Sequence, residues 1–194
     1  MKVKKDYIFS VRDKCLKFSD TNVCNAIPYN ITLFMLSSFN INSLIDFGSQ
    51  EGQFANRVMT ELGVNHIKCV DIDPTSVNNG RKRFPKIDWE CSDMLDYKFQ
   101  KQYDAITSIN WFFYLDKDER IEIYKKVSKI KGVFIITYGD INFHKLHNMS
   151  SDSVVDEIKT HMRVLNVVKG IDYETANDCT GRWYTSIACV GVTS

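Results

Sequence analysis

The chain has 194 residues, 44% of them hydrophobic and 25% charged, with 25 basic against 24 acidic side chains. These values exclude a wholly disordered, collagen-like or coiled-coil protein. A net charge of +1 excludes a global positive field that would recruit nucleic acid or an anionic membrane. A chain of this length buries roughly 70% of the surface it exposes when unfolded, enough for one sizeable core. No run reaches the ~18 uninterrupted apolar residues of a membrane span. The basic start at Lys2, Lys4 and Lys5 leads into further charged residues and not into the apolar core of a signal peptide. The expectation is a soluble, cytoplasmic protein without a membrane partner. Cys15, Cys24, Cys69, Cys91, Cys179 and Cys189 lie far apart with no C-x-x-C pair, so they read as buried reduced thiols and no metal site is assigned.

In chain order, residues 1–40 read as a helical lead-in that caps a pocket, with Ile31, Phe34, Met35, Ser38 and Phe39 as its packed face. Residues 41–194 read as one domain. Ser43 to Gly48 is a short strand. Gln53 to Leu62 is a helix with Phe54, Val58, Met59 and Leu62 on one face and Gly63 as its stop. His66 to Asp73 is a second strand, and Pro74 opens a helix that runs to about Phe84. Ile87 to Cys91 and Tyr103 to Ile109 are the third and fourth strands. Asp116 and Glu119 have the spacing of a helix-starting capping box, ahead of the apolar Ile123, Tyr124, Val127 and Ile130. Gly132 to Tyr138 is a fifth strand, nearly all apolar as a strand covered on both faces should be. Val154, Val155, Ile158 and Met162 mark another helix. Met162 to Asp172 and Trp183 to Val192 read as two long strands joined around Asn177–Gly181. Repeated strand–helix alternation means a doubly wound α/β sheet, mostly parallel, with helices on both faces and a C-terminal antiparallel hairpin.

Ligands of such sheets sit beyond the carboxyl ends of the strands, so the strand ends carry the functional reading. Gly48 and Gly52 bracket the first strand–helix turn, either to let a ligand approach the backbone or for turn geometry alone. Asp71 ends strand two, 23 positions after Gly48, where a nucleoside-binding fold accepts ribose hydroxyls. Asp73, directly before Pro74, reads as a helix cap. Ser92, Asp93 and Met94 follow strand three, where an acid could accept from an adenine amino group. Asn110, Trp111 and Tyr114 follow strand four and could line the substrate side, whereas Phe112 and Phe113 read as core.

Four segments together, Leu44–Gly52, Cys69–Pro74, Cys91–Asp96 and Tyr103–Asn110, resemble the ordered motifs of class I S-adenosylmethionine-dependent methyltransferases. The resemblance implies a seven-stranded sheet with its last strand inserted antiparallel. It implies that Asp46, Gly48, Ser49 and Gly52 face the methionine moiety, with the Asn110 backbone near its amino group. Asp71 would take the ribose hydroxyls, Ile72 would pack on adenine, and Ser92, Asp93 and Met94 would border the ring. Gln50 replaces the middle glycine of the usual loop. The cofactor implied is S-adenosyl-L-methionine, with S-adenosyl-L-homocysteine as product.

Methyl transfer needs an aligned nucleophile, and a hydroxyl nucleophile also benefits from a base. Tyr138, Asp140 and His144, just after strand five, are the candidates, with His147 as a substrate contact. Both histidines could equally be surface residues of a loop. Tyr7 and Tyr29 would cap the acceptor pocket. An Asn/Asp-Pro-Pro-Tyr motif after strand four, a Pro-Cys pair and a Glu-x-x-Glu-His metal motif are all missing. The leading expectation is O- or N-methylation of a small molecule, a sugar or natural-product precursor. The alternatives are an RNA methyltransferase, drawing on the clusters Lys2–Lys5, Arg81–Arg83 and Lys125–Lys131, and a non-catalytic subunit that keeps the fold. A homodimer is compatible with all three.

Overall fold

The computed structural model of the chain describes residues 26–112, 115–139, 151–172 and 182–191. Helix α1 (Ala26–Leu36) precedes β1 (Ser43–Phe47), α2 (Gln53–Leu62), β2 (His66–Asp71), α3 (Pro74–Arg83), β3 (Asp88–Cys91) and β4 (Ala105–Ile109). Then come α4 (Lys117–Val127), β5 (Val133–Gly139), α5 (Ser151–Lys159), β6 (Met162–Asp172) and β7 (Arg182–Gly191). The seven strands form one sheet in the order β3-β2-β1-β4-β5-β7-β6. The first five are parallel, and β7 runs antiparallel between β5 and β6. This is the expected seven-stranded, mostly parallel sheet with a closing antiparallel pair.

Local chemistry sets the element boundaries. α2 ends at Gly63, whose φ of 71° is a left-handed stop that glycine adopts without a Cβ penalty. α3 starts at Asp73, whose carboxylate accepts from the Thr75 and Ser76 amides and the Ser76 hydroxyl. α4 starts with a reciprocal capping box between Asp116 and Glu119. The central strands bury apolar residues on both faces because helices cover both. Leu44, Cys69, Ala105 and Ile135 pack under α1, α2 and α3, whereas Ile45, Ile106, Phe134 and Ile136 pack under α4 and α5. Among the described residues no helix is long and apolar enough to cross a membrane.

Two sequence expectations are corrected. Phe34 is 65% exposed, and Ser38 and Phe39 lie beyond the end of α1. Met35 is buried as expected, with Ile31 and Phe39 partly buried against the same core, but the stripe is completed by Thr32, Leu33 and Leu36. The helix is turned so that Thr32 reaches the sheet. Its hydroxyl donates to the Pro28 carbonyl at 2.7 Å, so it accepts from Thr137 at 3.0 Å, and Thr137 in turn accepts from Ser186 at 2.8 Å. This directed chain of hydroxyls pins α1 across β5 and β7. The second correction is Cys91, which is exposed at the end of β3, while Cys69 and Cys189 are buried thiols.

Candidate functional site

The sheet reverses direction between β1 and β4, which places a crevice beyond their carboxyl ends. A cleft opens there. Gly48, Ser49 and Gln50 of the β1–α2 turn and Ile109 and Asn110 of the β4 end form two of its walls, Tyr29 and Phe54 a third, and Asp46 its base. Tyr29 is held against Phe54 with ring centroids 5.2 Å apart. The cleft encloses about 290 Å³ of empty space, counting its open mouth. Both turns are backbone outliers. Gln50 has φ 50° and Asn110 has φ 59°, in the left-handed region that few side chains tolerate.

Two buried carboxylates anchor the site. Asp46 is 2% exposed and accepts from the Thr107 hydroxyl at 2.7 Å. Burial pushes its carboxyl up to about 7, against the Thr107 bond and with the help of neighbouring Asp71. Asp71, at the end of β2, accepts from the Asp73 amide and the Gln50 amide, each at 2.8 Å. Burial raises its carboxyl too, opposed by those backbone bonds. Asp71 therefore braces the first turn from the neighbouring strand, and this brace holds Gln50 in its strained conformation. Each oxygen keeps a further lone pair for a ligand hydroxyl.

The next strand end lies alongside. The Ser92 amide donates to the Asp71 carbonyl at 3.0 Å, and the Cys91 thiol approaches the Ile72 carbonyl at 3.7 Å. Ile72, Ser92 and Asp93 are each half-buried, and an Asp93 oxygen accepts from the Leu95 amide at 3.0 Å. Thus Asp46, Gly48, Ser49, Asn110 and Tyr29 share one cleft, with Asp71, Ile72, Ser92 and Asp93 on the adjoining strand ends.

Four candidates are turned elsewhere. Met94 is 5% exposed and Tyr138 is 2% exposed, both within the core under α4 and α5, and neither lines the cleft. Gly52 (φ 81°) faces Trp89, whose indole fills the space a side chain would need. Trp111 packs against Gly48 and is not among the side chains that line the cleft. Tyr7, Tyr114, Asp140, His144 and His147 lie outside the described residues. The sequence reading overlooked Trp89 and Gly80, which form a buttress. The Trp89 indole also occupies the space beside Gly80 of α3, so one ring locks α2, α3 and β3 together. It overlooked Thr107 as well, although Thr107 stands directly opposite Asp46 in the β1–β4 register. Among the described residues no group of three potential metal ligands comes together.

Comparison with known proteins agrees with this architecture. Residues 44–130 match the family model of a methyltransferase domain. The structure resembles the N-methyltransferase NodS from Bradyrhizobium japonicum WM9 bound to S-adenosyl-L-homocysteine, with TM-score 0.66, 15% identity, and coverage of 82% of this chain and 84% of that one. It resembles the glycopeptide N-methyltransferase MtfA bound to S-adenosyl-L-methionine, with TM-score 0.66, 10% identity and coverage of 84% and 86%. It also resembles the methyltransferase domain of bacterial CtHen1, with TM-score 0.66, 16% identity and coverage of 86% and 98%. No curated protein sequence matches the chain. Sheet order and the family model agree: residues 44–130 match a methyltransferase domain, and the whole sheet has the fold of these similar methyltransferases.

Proposed function

We propose that the protein methylates an oxygen or nitrogen of a small molecule or short peptide. The observation that carries this is the cleft at the sheet's reversal point, with buried Asp46 and Asp71 at the ends of adjacent strands. Two of the similar structures are named as N-methyltransferases, one of them acting on a glycopeptide, which supports an acceptor of this size. The cofactor supplies an electrophilic methyl group on a sulfonium, and S-adenosylhomocysteine is left after transfer.

The donor set suits that cofactor. Asp71 offers lone pairs to two ribose hydroxyls, and Asp46 offers a carboxylate to the ammonium of the amino-acid end. Gly48, Ser49, Gly52 and Asn110 would shape the turns around that end. Ile72, Ser92 and Asp93 would border the adenine, with Met94 supporting them from the core. Buried Gln53 Oε1 and Ser108 Oγ, close in sequence to the two turns, have no hydrogen-bond partner within the protein. On the acceptor side, Tyr29 and Trp111 flank the cleft, with Tyr7, Tyr114 and His147 as further contacts. The chain's work is to align donor and acceptor and to exclude water. A hydroxyl acceptor would lose its proton to His144 or Asp140, and buried Tyr138 would back that group.

Calorimetric titration with S-adenosylhomocysteine tests the reading. Asp71→Ala should weaken binding by about 1–3 kcal/mol, the usual loss when a buried polar partner is removed. It should also lower the melting temperature, because the Gln50 and Asp73 amides lose their acceptor. Wild-type affinity in Asp71→Ala would sink the ribose assignment, and no binding to the wild type would leave a non-catalytic subunit.

Asp46 predicts a pH dependence. Its carboxyl titrates near 7, above its ordinary value of 3.8. Below about pH 7 it is neutral, and an arriving ammonium must drive off its proton. Affinity should therefore rise between about pH 6 and about pH 7.5, with protons released on binding. Titrations in two buffers of different ionisation heat would count those protons, and Asp46→Asn should abolish both effects. For folding the sign is opposite. The folded chain holds this proton more tightly than the unfolded chain, so stability falls as pH rises from about 4 to about 7 and then levels. Asp46→Asn should lack that fall.

A further inference from the structure

Trp111 covers Gly48, one of the residues that line the cleft. It follows Asn110, whose left-handed φ of 59° turns the chain sharply at the end of β4. The indole folds back over the β1 turn. Its Nε1–H donates to the Phe47 carbonyl at 2.6 Å, and its five-membered ring occupies the space where Gly48 would carry a side chain. Phe112 backs it, with ring centroids 5.7 Å apart.

Three consequences follow from this placement. The bare face of Gly48, the part of the turn that a ligand could approach most closely, is covered. The Phe47 carbonyl, at the carboxyl end of the strand beside the reversal point, is already taken by a donor. And the remaining cleft has room for little more than a water molecule, about 20 Å³, far below the roughly 300–1,000 Å³ typical of sites that enclose a whole ligand. The polar groups suit the cofactor, but the space over Gly48 does not until the indole leaves.

We propose that Trp111 is an internal plug: it occupies the cofactor site from within and must swing off Gly48 and the Phe47 carbonyl before the cofactor can seat. The inference rests on the cofactor reading given above. The plugged and open arrangements are two states of one turn. Binding then pays a population penalty equal to the fraction of chains already open. Weakening the plugged state should tighten binding, the reverse of what loss of an ordinary contact residue would do. Asn110 is a suitable hinge, because asparagine tolerates the left-handed region better than most residues.

The test uses the full chain and S-adenosylhomocysteine. W111F keeps a ring against Gly48 but cannot donate to Phe47. Its dissociation constant by calorimetry should fall by about five-fold or more. W111A, which empties the space, should bind at least as tightly as W111F. In the wild type, the Trp111 contribution to emission, obtained by subtracting W111F, should shift at saturating ligand and become more accessible to acrylamide. The plug is overturned if W111F binds no tighter than wild type, or if the Trp111 emission stays unchanged at saturation. Binding to the wild type with either of those outcomes removes the plug and leaves the cofactor site standing. No calorimetric binding to the wild type or to either variant removes both.

Discussion

Replacing Glu157 with alanine is expected to lower the unfolding free energy by about 3–5 kcal/mol, the typical cost of leaving a buried charge without its partner. Glu157 on α5 accepts both forks of Arg120 on α4, from Nε at 2.8 Å and Nη2 at 2.9 Å. The two side chains are 3% and 8% exposed. The Tyr124 hydroxyl adds a third bond to Glu157 at 3.2 Å, and Arg120 Nη1 donates to the Leu115 carbonyl at 2.8 Å. Alanine would strand a guanidinium that cannot shed its charge. Urea unfolding should show a lower midpoint with an unchanged slope. The double variant Arg120→Met/Glu157→Met should recover most of the loss, because an apolar pair of similar size carries no desolvation penalty. If the double variant is as unstable as the single one, the pair matters for its geometry and not for its charge. Through its bond to the Leu115 carbonyl the same arginine ties the residue just before the α4 cap to α5.

Gly48→Ala should be nearly as damaging to the fold. Gly48 has φ 69°, where an alanine is strained by roughly 1–2 kcal/mol. The new methyl group would also drive into the Trp111 indole and break its bond to Phe47, adding about 0.5–1.5 kcal/mol. Gly63→Ala is the matched control. Its φ is 71°, and nothing lies within 4 Å of the methyl group it would gain, so only the backbone strain applies. The difference between the two alanine variants measures the collision. In a Trp111→Ala background that difference should vanish, the signature of coupling between two residues in contact. A difference that survives there would place the strain elsewhere in the turn.

The parts of this protein legible in its sequence are those whose causes are local. The helix from Gln53 to Leu62 was expected and found at those residues, because its apolar spacing and Gly63 are sequence-adjacent signals. The Asp116–Glu119 box is likewise contained within one turn. The succession of strands and helices along the chain could be read from its alternating patterns, whereas the inserted last strand was implied only by the family resemblance. What stayed hidden depends on residues far apart in the chain. Phe34 belongs to an apolar run, but α1 lies against four strands of the sheet, β4 to β7, with Thr32 bonded to Thr137 of β5, and that contact leaves Phe34 facing outward. Gly52 looked like an opening for a ligand, yet its space belongs to Trp89, and the space of Gly48 belongs to Trp111. A glycine in a sequence shows that a side chain is unwelcome, but not what takes its place. Met94 followed the strand-three motif in sequence, while the turn at Asp93 directs it into the core.

β7 follows β6 in the chain but lies inside it in the sheet. As the chain leaves the ribosome, β6 emerges with no strand to pair with, since its only neighbour is β7. The parallel set from β3 to β5 can assemble first, leaving the outer edge of β5 open. β7 must then slide between β5 and a waiting β6, closing ladders on both sides at once. Until that insertion the nascent protein exposes two unsatisfied strand edges of matching chemistry. In that interval it is most prone to pair with another copy of itself, and a chaperone would have most to protect.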